Sequence, residues 1–168
     1  MSESIQHIIE THRDKIFKTC LGYTGNVEQA KDLAQEVCIN LWRGLEKFKG
    51  EAQIATWVYR ITVNTCLMYR RKKRLPTVQI KAIQEAQMDT EMDTSNQQQD
   101  LQLLQKFIAQ LPEKERIIII LYLENLSYDA IAEVTGLTNN YIGVKINRIK
   151  KLLTRKFKEH GRFKNNLE

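Results

Sequence analysis

The chain has 168 residues, 42% hydrophobic and 27% charged, with 26 Lys and Arg against 20 Asp and Glu for a formal net charge of +6; this balance excludes collagen-like, mucin-like and wholly disordered proteins and fits one or two small globular domains. Seven Gly and two Pro argue against a long loop-rich fold, and no stretch approaches the ~20 uncharged apolar residues of a membrane-spanning helix, the longest aliphatic run being Ile117 to Leu121. The N-terminus, Met-Ser-Glu-Ser-Ile-Gln-His, has neither the basic start nor the apolar middle of a signal peptide, which predicts a cytoplasmic chain.

The first sustained apolar period runs from Asp32 to Leu45, where Leu33, Val37, Leu41 and Leu45 recur every fourth residue and Ala34, Cys38 and Trp42 widen the stripe. That spacing predicts an amphipathic helix with this side buried. Its other side carries Asp32, Gln35, Glu36, Ile39 and Arg43. An aliphatic residue on such a face reads either as a contact for a protein partner or as one exposed side chain on a solvated surface. A break at Lys47 to Glu51 precedes a second predicted helix, Ile54 to Arg74. Trp57, Ile61, Thr65 and Met68 fall on its apolar side, while Arg60, Asn64, Leu67, Arg71 and Arg74 follow one another at helical spacing on the other. This stripe is a track for phosphates, thickened by Arg70, Lys72 and Lys73, and cations at this end also complement the helix dipole. Phe48, Trp57 and Tyr59 lie near the helix start. Basic groups beside aromatic ones suit unpaired strands, whose bases stack on π faces while their phosphates are neutralised; Trp57 taken alone reads as core.

Thr77 to Asp100 contains QEAQMDTEMDTSNQQQD, with no aromatic residue and no sustained apolar period, and predicts a flexible tether. The charge divides at the same place: net +5 over residues 1–74, −4 over 75–100 and +5 over 101–168. The division predicts two basic domains, 1–74 and 101–168, joined by a flexible acidic linker, 75–100, with nucleic acid the first candidate partner of each domain.

Leu101, Leu104, Ile108 and Leu111 mark a helix that Pro112 ends, and Pro112 opens the next, Glu113 to Glu124, whose nearly unbroken apolar run Ile117 to Leu123 predicts burial between other helices. In the stretch from Leu126 to Leu153, Ser127 can cap a helix reaching Val134, Gly136 supplies a tight turn, and Thr138 can cap the helix that follows. Ala132 is small where the two helices cross, and Ile142, Ile146, Ile149 and Leu153 hold the second to the core. The pattern is a helix-turn-helix. Asn140, Gly143, Val144, Asn147, Arg148 and Lys151 face outward; Asn can pair with adenine edges, Arg with guanine or phosphate, and Val can touch a thymine methyl in the major groove.

Cys20, Cys38 and Cys66 have neither disulfide-framework nor zinc-site spacing, and His7, His12 and His160 are scattered. No paired carboxylates, nucleophile elbow or glycine-rich phosphate loop accompany them. The expectation is therefore a protein without catalytic residues, metal or cofactor. A conventional helix-turn-helix regulator, binding an operator and dimerising through residues 1–74, is the alternative; it gives no reason for the aromatic and basic segment Phe48 to Arg74.

Taken in order, Asp32 to Trp42 (DLAQEVCINLW), Phe48 to Arg74, Leu111 to Leu137 and Asn147 to Leu153 (NRIKKLL) resemble a sigma-70 family RNA polymerase sigma factor of the small, two-domain extracytoplasmic-function (ECF) group. The resemblance implies an all-α fold of two small helical domains on a flexible linker, the second containing the helix-turn-helix. It implies that Asp32, Gln35, Glu36 and Ile39 dock on the clamp helices of the largest subunit of core RNA polymerase. It places Phe48, Trp57, Tyr59, Arg60, Asn64, Arg70, Arg71 and Arg74 at the promoter minus-ten element, where duplex is opened and an extruded base is read, and Asn140, Val144, Asn147, Arg148 and Lys151 at the duplex minus-35 element. It implies an anti-sigma partner and no membrane insertion. Two departures stand out: Gly143-Val144 where relatives often have Lys-Ser, and an N-terminus that reads as one helix shorter than is common.

Overall fold

The computed structural model describes residues 4–73 and 96–161, and all regular structure there is helical. The elements are α1 (Ile5–Thr24), α2 (Val27–Gly44), a 3-10 turn (Leu45–Lys47), α3 (Ile54–Lys73), α4 (Asn96–Ala109), α5 (Glu113–Leu123), α6 (Tyr128–Thr135) and α7 (Asn139–Glu159).

Helix α1 has no counterpart in the sequence reading. It buries Ile5, Ile8, His12, Ile16, Thr19, Cys20 and Tyr23 along one side, a helical stripe whose apolar signal is interrupted by His12 and Thr19. Its start is capped by Ser4, whose hydroxyl accepts from the His7 amide. It supplies the third wall against which α2 and α3 pack. In α2 the expected stripe Leu33, Val37 and Leu41 is fully buried, joined by Ala30. Trp42, however, lies one step further round the helix and is 62% exposed, not core. On α3 the buried side carries Thr56, Trp57, Val58, Tyr59, Thr62, Val63, Thr65 and Cys66. Met68, expected on the apolar side, is exposed because α2 and α3 leave an open groove at its level.

The second unit follows the sequence more closely. Helix α4 begins at Asn96, so the end of the expected flexible linker is helical; residues 74–95, the rest of that linker and Arg74, lie outside the described residues. Pro112 sits at the start of α5, whose Ile117, Ile118, Ile119, Ile120 and Leu121 are all buried. Ser127 caps α6 through the Ala130 amide and Thr138 caps α7 through the Tyr141 amide. Gly136 between them has φ 74°, a left-handed turn that glycine adopts without strain. Ile142, Ile146, Ile149 and Leu153 pack α7 inward as the period predicts.

The two units also pack against each other, α1 against α4 and α5, and α3 against α6. One continuous core of buried side chains runs through both.

Candidate functional site

Three surfaces emerge from these elements. The first is the outer side of α2. Asp32, Gln35 and Ile39 are exposed and Glu36 half-buried, because the 3.6-residue period that buries Leu33, Val37 and Leu41 turns these positions away from the core. Ile39, 50% exposed, is three residues from the exposed Trp42, and with Ile9, Cys38 and Arg43 they line a shallow depression. Two adjacent large apolar side chains in water on an acidic helix form a patch suited to a protein partner. The sequence reading placed Ile39 there and missed Trp42.

The second surface is the open groove between α2 and α3, about 510 Å³, lined by Glu36, Ile39, Asn40 and Arg43 from one helix and by Ile61, Asn64, Thr65, Met68 and Lys72 from the other. Its floor is pinned by Asn40, whose amide donates to the Thr65 hydroxyl at 3.0 Å, while that hydroxyl donates back to the Ile61 carbonyl at 2.7 Å. The groove brings together Glu36, Ile39 and Asn64, which the sequence reading assigned to two separate sites. Of the groove residues, Asn40 was not singled out by that reading, while Arg43 and Lys72 were read only as part of the outer side of α2 and of the basic stripe of α3; Asn40 follows Glu36 at i+4 and Arg43 follows Asn40 at i+3.

The other residues expected beside Asn64 do not gather there. Trp57 is buried and packs on the half-buried Phe48, ring centroids 4.9 Å apart. Tyr59 is only 5% exposed, and burial together with the nearby Glu124 carboxylate at the C-cap of α5 pushes its phenol up to about 12. It therefore presents no open ring face in this arrangement. Arg60 turns to α6, its guanidinium donating to the Glu133 carbonyl at 3.1 Å and lying 3.7 Å from the Glu133 carboxylate. Arg70 is half-buried and not on the exposed stripe, on the side of α3 that carries Val63 and Cys66. Asn64 and Arg71 remain open to solvent.

The third surface is α7. Asn140, Tyr141, Val144, Asn147, Arg148 and Lys151 are all exposed, Val144 by 51%. Tyr141 was not among the expected reading residues. Gly143 was expected to face outward but is half-buried: a Cβ there would lie 3.4 Å from the Tyr128 ring. That distance is ordinary van der Waals contact, so a small side chain fits at this position. The long helix is anchored from behind, Lys145 donating to Glu115 at 2.7 Å and Lys150 to the Tyr122 hydroxyl at 2.6 Å. The Glu115 partner holds the Lys145 ammonium above its ordinary range. Asn139 donates to Asp129, tying the two helices across the turn.

Residues 8–75 match the family Sigma-70 region 2 and residues 101–153 match Sigma-70, region 4. An ECF RNA polymerase sigma-E factor of Haemophilus influenzae is 31% identical over 137 residues, covering 74% of this chain and 72% of that protein. The chain belongs to the sigma-70 family, in its ECF group. Likeness to the ECF sigma factor SigW of Bacillus subtilis spans nearly the whole length, 25% identity over 94% of this chain and 90% of that one. The fold is that of the sigma factor RpoE from Bartonella quintana, solved with the anti-sigma factor NepR (TM-score 0.71, 20% identity, 91% of this chain and 96% of that one). CnrH, solved with the cytosolic domain of CnrY, is similar (TM-score 0.69, 16% identity, 92% and 88%). In this sigma factor the region 2 match spans most of α1 and all of α2 and α3, and the region 4 match runs from within α4 to Leu153 of α7. Sigma factors are non-catalytic regulatory subunits of RNA polymerase. Among the described residues no group of three His, Cys, Asp or Glu could hold a metal ion, and no helix is long and apolar enough to cross a membrane.

Proposed function

We propose that this sigma factor docks on core RNA polymerase, at the clamp helices of the largest subunit, through Asp32, Gln35, Glu36 and Ile39, and that Trp42 extends the docking patch. Residues 1–74 then bind core and open the minus-ten element, 75–100 act as linker, and 101–168 bind the minus-35 duplex. The polymerase supplies the chemistry and the chain supplies none, acting in the cytoplasm where the polymerase works. An anti-sigma factor controls it, by analogy with RpoE, which was solved with the anti-sigma factor NepR.

The observation that carries this reading is the α2–α3 groove, where Glu36 and Ile39 face Asn64. A groove of mixed polarity next to a polymerase-docking face can receive a base extruded from the opened strand, with Asn64 as donor and acceptor and Arg43, Arg71 and Lys72 for phosphates. Extrusion costs a few kcal/mol of lost pairing and stacking, which the pocket contacts offset.

Asn64→Ala is expected to slow promoter opening, followed by permanganate reactivity of unpaired thymines, by about tenfold while leaving affinity for core polymerase within twofold. Equal loss of both would remove Asn64 from the base-reading role. At the other end, Arg148→Ala is expected to weaken binding to minus-35 duplex by about 1–3 kcal/mol. If Arg148 contacts a base edge, the loss is confined to the cognate sequence; if it contacts phosphate, binding falls alike on all sequences and the salt slope drops by about 1. Unchanged affinity would take Arg148 off the reading face.

A further inference from the structure

The exposed stripe of α7 divides into two chemistries. Its first two turns offer an amide, a phenol and an aliphatic side chain at Asn140, Tyr141 and Val144, and exposed cations begin only with Arg148 and Lys151. The stretch from Thr138 to Asn147 contains no Asp or Glu and a single cation, Lys145. That ammonium is committed within the protein: it donates to Glu115 of α5 at 2.7 Å and lies 5.5 Å from the centre of the Tyr141 ring. Asn139 is likewise engaged, by Asp129. Val144 stands in the middle of what remains, 51% exposed, with Asn140 four residues before it and Asn147 three residues after it on the same side of the helix. The pairs Lys145 with Glu115 and Lys150 with Tyr122 hold α7 from behind, so the stripe is presented on a fixed helix.

We propose that Val144 is a specificity-determining residue that packs on the C5 methyl group of a thymine in the minus-35 duplex. The proposal rests on the reading of α7 as the helix that binds this element. A helix-turn-helix lays its second helix in the major groove with the N-terminal residues on base edges, and Val144 is the sixth residue of α7. In that groove guanine is read by Arg or Lys and the cytosine amine by Asp or Glu. The first two turns present none of these to the groove. Against a G·C pair the Val144 isopropyl group strips water from polar edge atoms and returns no hydrogen bond. Against T·A it meets the one apolar group the groove displays, the thymine methyl. Asn140 and Asn147, on either side, have the donor and acceptor that match N6 and N7 of adenine. Guanine contacts fall to Arg148, one turn further along the helix.

Removing that methyl group alone tests the contact. Holoenzyme assembled from the full-length chain and core RNA polymerase selects upstream elements from a duplex library randomised around the minus-35 position. Each thymine of the selected element is then replaced in turn by deoxyuridine, which removes the methyl group and keeps the hydrogen-bonding edge. At one position the wild-type holoenzyme is expected to lose affinity by about threefold to fivefold, the worth of one buried methyl group. Holoenzyme carrying Val144→Ala should bind the thymine duplex about as weakly as wild type binds the uracil duplex, and should lose little more, about 1.5-fold at most, on the same replacement. The readout is a ratio between two duplexes for one protein preparation, so a change in folded fraction does not move it. An equal loss in the two proteins would assign the methyl effect to duplex shape and overturn the contact. Tolerance of uracil at every position, or a selected element without thymine, overturns it as well. Each of these outcomes leaves the sigma-factor reading intact, because a minus-35 element has then been selected. Failure of the wild-type holoenzyme to enrich any upstream element overturns both.

Discussion

Replacing Arg116 with alanine is expected to lower the unfolding free energy by about 2–4 kcal/mol, the cost of leaving several buried carbonyl acceptors without their charged donor. Arg116 is 8% exposed, and its guanidinium donates to three carbonyls, those of Tyr23 at 3.1 Å, Ala109 at 2.5 Å and Leu111 at 3.0 Å. Those carbonyls close the turn between α4 and α5 and join it to the end of α1. Desolvation and the nearby Arg70 both lower its basicity, and Tyr23 and Glu113 act in the opposite direction. Alanine removes the donors and leaves the acceptors in a site water cannot easily reach. Lysine is expected to restore little, since a single ammonium lacks the planar fork that serves several acceptors at once. Urea unfolding followed by helical circular dichroism checks both variants; a loss below about 1 kcal/mol for alanine would mean that water replaces the guanidinium without penalty.

The second large effect concerns binding. Trp42→Ala is expected to reduce affinity for core polymerase by about 2–4 kcal/mol, roughly 30-fold to 1,000-fold, because tryptophan at the centre of an interface typically carries a cost of that size when truncated. With 62% of its surface in water, Trp42 contributes little to the fold, so the melting temperature should stay within a few degrees. Charge reversal at Asp32 or Glu36 should weaken binding less than Trp42→Ala does, and more visibly at low salt, since exposed charges chiefly steer encounter. Affinity unchanged by Trp42→Ala would move the docking surface off this patch.

Much of this was legible in the residues themselves. The cap at Ser127, the left-handed Gly136, the cap at Thr138 and the inward isoleucines of α7 are local signals, and each fell where its chemistry requires. The aliphatic period of α2 was equally plain, although extending the stripe to Trp42 went one step too far: at 100° per residue, the neighbour of buried Leu41 turns out of the core. Helix α1 was hidden because His12 and Thr19 occupy core positions that a hydrophobic count does not score. Gly143 read as an outward residue because its neighbour across the turn, the Tyr128 ring, cannot be foreseen from spacing. The partners of Tyr59, Arg60 and Arg70 were out of reach for the same reason on a longer scale. Glu133 is 73 residues from Arg60, and no periodicity within α3 records that a second unit will settle against it.

The central claim, that this chain is a promoter-specificity subunit of RNA polymerase, is tested most directly by mixing it with core polymerase of its own organism, following co-migration on size exclusion, and sequencing transcripts made from genomic DNA. Co-migration together with new start sites that share upstream motifs is the predicted result. Sequence-specific DNA binding by the chain alone, without association with core and without new start sites, would contradict it and would describe a conventional helix-turn-helix regulator instead.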